Sequence, residues 1–223
     1  MTNTLHRSGK AETFRDDYII FAMPSKGKND QGAIDKLKAF LNICVSHDPS
    51  NIGASGQSSY RPSSKLNPTV HWRRDIDPDF DGVVEGVKKS GTAAAVFDSR
   101  AKAVACLRDV IDQDLGLSIN ISTSVDGARQ AGLECGIPRH SVEYSLGFTD
   151  PNGRLPRNQI LELATMCGHG MVSFHLAQKM IDMVREGRRT PAQAVATLTR
   201  FCPCGVYNPS RAVRLIEEAL THQ

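Results

Sequence analysis

Long apolar runs are missing from this chain. No stretch approaches the ~18 consecutive apolar residues that a bilayer-spanning helix needs, so a membrane is not among the expected partners. A dominant charge sign is missing too: 27 basic against 24 acidic residues leave a formal net charge of +3, too balanced to announce nucleic acid as a partner. No internal repeat at solenoid periods is visible. The first residues, MTNTLHRSGK, are polar and carry no apolar core, so no secretory leader is expected and a cytoplasmic location is. In that reducing compartment disulfides are scarce, and six cysteines therefore point to metal or thiol chemistry. At 223 residues the chain is long enough to bury a real core, as one large domain or a medium one with a small companion.

What is present alternates strand and helix signals up to about residue 150. Asp17–Met23 is a short apolar run ending at Pro24, the pattern of a buried strand. Residues 31–46 carry a helical stripe through Ile34, Leu37, Leu41 and Val45, with Cys44 beside it as core. The intervening loop holds Lys26 and Lys28, which reads as a solvated turn more readily than as an anion site. Residues 48–68 are rich in serine, glycine, asparagine and proline and read as a long loop, of the kind that often serves as a lid. Val70, His71 and Trp72 suggest a short strand. Thr92–Phe97 is a strand, Ser99 or Asp98 caps a helix running to Asp114 with Cys106 and Ile111 on its inner side, and Leu117–Ile121 alternates as a strand. Ser122, Thr123 and Ser124 then open a helix over about 125–133. Hydroxyls and free N–H groups at such a junction form an anion pocket, and Ser122, Ser124 and Arg129 are the candidate binding residues there. Cys135 and Gly136 close that helix, and 140–148 alternates again as a strand.

After the turn cluster at 151–156 strand signals stop. The expected fold class is α/β (α+β possible), a βα-alternating sandwich over 1–150 followed by a small all-helical C-terminal segment, 151–223, packed on it. That segment carries the densest group of soft ligands in the chain. Cys167, with Gly168 and His169, precedes an apolar periodicity from Met171 to Arg185, about 22 Å of helix at 1.5 Å per residue. Thr190 and Pro191 read as an N-cap and first helical position, and a second helix follows to Phe201. Helices joined by so short a link pack antiparallel, so Cys167 should meet Cys202 and Cys204 at one end of a hairpin.

Thiolates so grouped are ligands for an iron-sulfur cluster or for zinc. Three cysteines are one short of a full set, so either Cys135 supplies the fourth ligand or one metal stays open as a Lewis acid. The leading expectation is a 4Fe-4S cluster on Cys167, Cys202 and Cys204, with Cys135 the candidate for a fourth ligand, in a lyase, hydratase or desulfidase that uses an open iron as Lewis acid on a small anionic metabolite. His169, His140 and Arg139 are its candidate catalytic groups, as acid, base and carboxylate clamp. The alternatives are a zinc site using Cys167, His169, Cys202 and Cys204, and a carrier that delivers a cluster or sulfur to a partner enzyme through Arg185, Arg188 and Arg189. A homo-oligomer is a further possible partner state. His175, inside its helix, is expected to be buried.

Overall fold

The structure is a computed structural model, and it describes residues 7–55, 60–62, 72–74, 79–142, 150–202 and 204–221. A 3-10 turn over Ala11–Phe14 leads into β1 (Tyr18–Met23), α1 (Ala33–Ser46), β2 (Asn51–Ala54), the paired strands β3 (Tyr60–Pro62) and β4 (Trp72–Arg74), and α2 (Phe80–Glu85). Then come β5 (Ala93–Phe97), α3 (Arg100–Gln113), β6 (Ser118–Ser122) and α4 (Val125–Glu134). Among the described residues only helices follow: α5 (Pro151–Arg154), α6 (Asn158–Ala164), α7 (Phe174–Arg185), α8 (Pro191–Thr199) and α9 (Pro209–Thr221). None of these helices is long and apolar enough to cross a membrane.

The order β2-β5-β1-β6 makes one sheet in which every neighbour is antiparallel. β1-α1-β2 and β5-α3-β6 are two β-α-β units whose strands interleave, the split β-α-β plan. The fold is thus mixed α/β with C-terminal helices, as the sequence pattern implies. Alternation along the strands divides the core into two layers, because successive side chains leave a strand on opposite faces. Tyr18, Ile20 and Ala22 of β1, with Ala95 and Phe97 of β5, bury against Leu37, Phe40 and Leu41 of α1 and Ala103 and Leu107 of α3. Ile19, Phe21, Ala94 and Val96 face the other way and bury against α6 to α9. Cys44 and Cys106 lie fully buried on the first face, their sulfurs 3.7 Å apart.

Several expectations shift. Residues 48–68 are not all loop: Asn51–Ala54 forms the edge strand β2, because pairing of Ile52 with Ala95 gives it a buried partner that its composition does not announce. Tyr60–Pro62 forms β3 and Trp72 lies in β4, whereas 56–59 and 63–68 of the proposed lid, with Val70 and His71 of the proposed strand, fall outside the described residues. α7 begins at Phe174, not Met171, since the Ser173 hydroxyl accepts from the Leu176 N–H and fixes the start one turn later. Met171 and Phe174 consequently stay exposed, and so does His175. Ile111 likewise points outward. The proposed strand 140–148 is not a strand over 140–142, and its remainder lies outside the described residues. Lys26 and Lys28 sit in an exposed turn stitched by Asn29 and Asp30 side chains, which accept from Ser25 and Gly27 N–H groups.

Candidate metal centre

The helical hairpin closes as its sequence implies. Thr190 and Gln193 form a reciprocal capping box at the start of α8, and the chain then returns along α7 to the level from which it set out. Cys202 and Cys204 follow α8 and meet Cys167, which follows α6. The Cys202 and Cys204 sulfurs stand 3.5 Å apart, and Cys167 Sγ lies 3.8 Å from His169 Nδ1. The donor atoms of Cys167, His169 and Cys204 all lie within 4.8 Å of one another, so these residues form a group that can hold a metal ion. Depth differs along the set: Cys202 and Cys167 are buried, Cys204 is half-buried and His169 is exposed.

The sheet fixes the position of this group. Gly205 adopts φ +69°, the left-handed region open to glycine, and lies against the Ile52 carbonyl. Opposite it, a Cβ on Gly53 would fall on the carbonyl of Cys204. The two glycines let the cysteine turn press backbone to backbone on β2, and the Asn51 side-chain amide completes the contact by donating to the Tyr207 carbonyl at 3.2 Å. Tyr207 is fully buried and its hydroxyl donates to the Leu163 carbonyl at 3.1 Å, tying the turn to α6.

Arg7 is a cation held against the segment that carries Cys167, and no sequence motif announced it. Arg7 donates from Nε to the carbonyl of Met166 at 2.7 Å, from Nη1 to Ser122, and from Nη2 to Asp17. Asp17 also accepts from Arg211 at 2.7 Å, and Arg211 pairs with Glu162 at 2.7 Å. Both guanidinium groups stack on the Phe14 ring, at 4.9 and 4.1 Å from its centroid. Only the heptad-like burial of Arg211 on α9 could have hinted at this network.

Proton sharing among the sulfurs is uneven. Burial pushes the Cys202 thiol up, but hydrogen bonds from Cys167, from Cys204 and from the backbone N–H groups of Cys204 and Val206 hold it well below its usual value. The hydrogen bond to Cys202 raises Cys167, and bonds to Cys167 and Cys202 raise Cys204 well above the thiol range. These hydrogen bonds favour loss of a proton from Cys202 over loss from Cys167 or Cys204. The hydrogen bond with Cys167 raises His169.

Other candidates lie elsewhere. Cys135 caps α4 and turns its sulfur toward the Val104 carbonyl, 3.8 Å away, among the α1/α3 layer with Cys44 and Cys106 and across the sheet from Cys167, Cys202 and Cys204. Its proposed role as fourth ligand is withdrawn, because the end of α4 packs on α3 and not on the hairpin. Arg139 and His140 follow it: they are exposed and line a cavity of about 830 Å³ beside β6, together with Ser122 and Ser124. None of Cys167, His169, Cys202 or Cys204 lines that cavity. Ser124 is spent capping α4 through the Gly127 N–H, Arg139 donates to the Val125 carbonyl at 2.7 Å, and Arg129 is exposed and outside the cavity wall. The basic run is internally matched, Arg185 with Asp182, Arg188 with Glu186 and Arg189 with the Thr197 hydroxyl.

Set against protein-family models, curated proteins and solved structures, the chain matches none. Its fold and its donor group define it instead as a mixed α/β protein with a cysteine- and histidine-based candidate metal centre.

Proposed function

We propose that this protein binds one thiophilic divalent ion through Cys167, Cys202 and Cys204, with His169 as fourth donor on the solvent side. The spacing of the donors carries the reading. Around a tetrahedral ion with metal-sulfur bonds of ~2.3 Å, neighbouring sulfurs stand about 3.8 Å apart, and the observed 3.5 Å between Cys202 and Cys204 fits that with little adjustment. The ion would supply Lewis acidity toward a small anionic metabolite. Cys167 and Cys202 bind it from the buried side, and His169, standing at the surface, is placed to exchange for a ligand and to take its proton.

A second reading has its own support. Cys135 is across the sheet, so three thiolates and no fourth serve this site among the described residues, the number an open-iron 4Fe-4S cluster of a lyase, hydratase or desulfidase would use. A cubane interposes irons and sulfides between its thiolates, so the sulfurs would have to spread. Anaerobic purification with metal and sulfide analysis separates the two. Colourless protein with one zinc per chain, whose cobalt-substituted form shows thiolate charge-transfer bands, is the expected result. Brown protein with iron and acid-labile sulfide would establish the cluster instead, and protein that takes up neither would overturn both.

Loading should also release protons. Cys167 and Cys204, whose thiols are pushed up by their shared hydrogen bonds, must give up protons to bind metal, while Cys202, held down by the same bonds, gives its proton up more readily. We expect net proton release on loading near neutral pH, so affinity rises with pH and falls on acidification. The count grows as pH drops into the imidazole range and His169 becomes protonated. Calorimetry in buffers of different ionisation enthalpy measures this number; a value near zero contradicts loading at the expense of thiol protons.

A further inference from the structure

We propose that Arg7 is a positioning residue of the metal centre, a buried cation that anchors the backbone beside Cys167 and offsets the negative charge a loaded site carries; this rests on the metal-centre reading above. Three thiolates around a divalent ion, or around a cluster of charge +2, leave one formal negative charge in a site largely shielded from water. Charge of that kind is costly to bury unless a counter-charge is close.

Arg7 is the group so placed. Its side chain is 4 % exposed; burial and the neighbouring Arg211 lower its pKa, and Asp17 most of all, with Cys167 and Cys204 behind it, works the other way and favours the charged form. Its Nε bond to the Met166 carbonyl holds the residue that directly precedes Cys167. The remaining contacts aim it: Nη1 rests on Ser122 at the end of β6, and Nη2 on Asp17 before β1. Arg211 does not substitute, because it donates to Glu162 and to the Ser8 carbonyl as well as to Asp17, whereas Arg7 bonds the Met166 carbonyl. The N-terminal segment is tied down at the same place, with the Ser8 N–H donating to the Thr165 hydroxyl at 3.0 Å and the Ser8 carbonyl accepting from Arg211. Residues far apart in the sequence thus converge on one loop.

A structural buttress and a charge-compensating residue predict different things for Asp17, which partners Arg7. If Arg7 acts through its charge, Arg7→Met weakens metal binding and Asp17→Asn, which frees that charge to act on the sulfurs, strengthens it. If Arg7 merely braces the loop, both variants loosen the site and both weaken it. Zinc affinity should be measured by chelator competition at fixed pH on folded Arg7→Met, Arg7→Lys and Asp17→Asn proteins, with melting temperatures alongside. We expect Arg7→Met to lose on the order of 10- to 100-fold in affinity, the range for residues that support metal ligands. Arg7→Lys should recover part of that loss, and Asp17→Asn should bind more tightly than wild type despite melting lower. Should Arg7→Met fail to fold, Arg7→Lys and Asp17→Asn still decide. Affinity that falls in Asp17→Asn in step with its melting temperature overturns the proposal while leaving the centre itself intact. A wild-type protein that binds neither metal nor cluster overturns the centre, and the proposal with it.

Discussion

Cys202→Ala is expected to weaken metal binding steeply, and Cys135→Ala to leave it untouched. Cys202 is the most deeply placed sulfur of the trio, fully buried and 3.5 Å from Cys204, and hydrogen bonds that outweigh its burial hold its thiol well below the usual value. Structural zinc sites of four ligands contribute ~10–16 kcal/mol of binding free energy. One ligand's share is about a quarter of that, so its loss weakens affinity on the order of 100- to 1,000-fold. The stabilisation that bound metal gives the native state over the unfolded chain should shrink with it. A chelator should therefore lower the melting temperature of the wild type and of Cys135→Ala by more than that of Cys202→Ala. Metal content of the purified proteins, followed by thermal unfolding with and without chelator, checks the whole set. Equal metal loss in both variants would mean that Cys135 reaches the site, which its contact with the Val104 carbonyl argues against.

That contrast also marks how far the sequence could be read. The hairpin was legible because its signals are local: Thr190 and Pro191 start α8, and a link of few residues forces α7 and α8 to run antiparallel. From these alone Cys167 had to approach Cys202 and Cys204. Cys135 was misplaced because nothing local says which face of a sheet a helix end will occupy; that follows from packing of α4 on α3, a contact between elements whose order in the sheet the sequence does not print. Arg7 stayed invisible for a related reason. A lone arginine in a polar stretch reads as solvated surface, and only the assembled sheet, with Asp17 just before β1 and Ser122 at the end of neighbouring β6, turns it into a buried cation. β2 was missed because Asn51, Ile52, Gly53 and Ala54 lack the bulk and alternation of a strand. Their small side chains answer a different demand, made by the cysteine turn.

Gly53→Ala tests that demand and should be among the most damaging single-methyl changes in the chain. Gly53 has ordinary extended geometry, so alanine there meets no backbone strain, and in an isolated strand it would be favoured over glycine by roughly 0.5–1 kcal/mol. What forbids it is contact: the added methyl falls on the Cys204 carbonyl and the Gly205 Cα, both backbone atoms that no rotamer change can move aside. Either β2 shifts away from β5, breaking the pairing of Ile52 with Ala95, or the turn bearing Cys202 and Cys204 lifts off the sheet. The second is the cheaper, since the turn has no ladder to lose, and it separates these sulfurs from Cys167. We expect a cost of about 3 kcal/mol, at the upper end for overpacking, with most of the metal lost. Hydrogen exchange should stay protected in α1, α3 and the sheet while rising in residues 201–208. Gly187→Ala is the control. It sits at φ +69° with open space around its Cβ position, so it should lose roughly 1–2 kcal/mol from backbone strain alone and keep its metal. A Gly53→Ala protein that retains full metal content would show that the close contact between β2 and the cysteine turn does not hold the centre together.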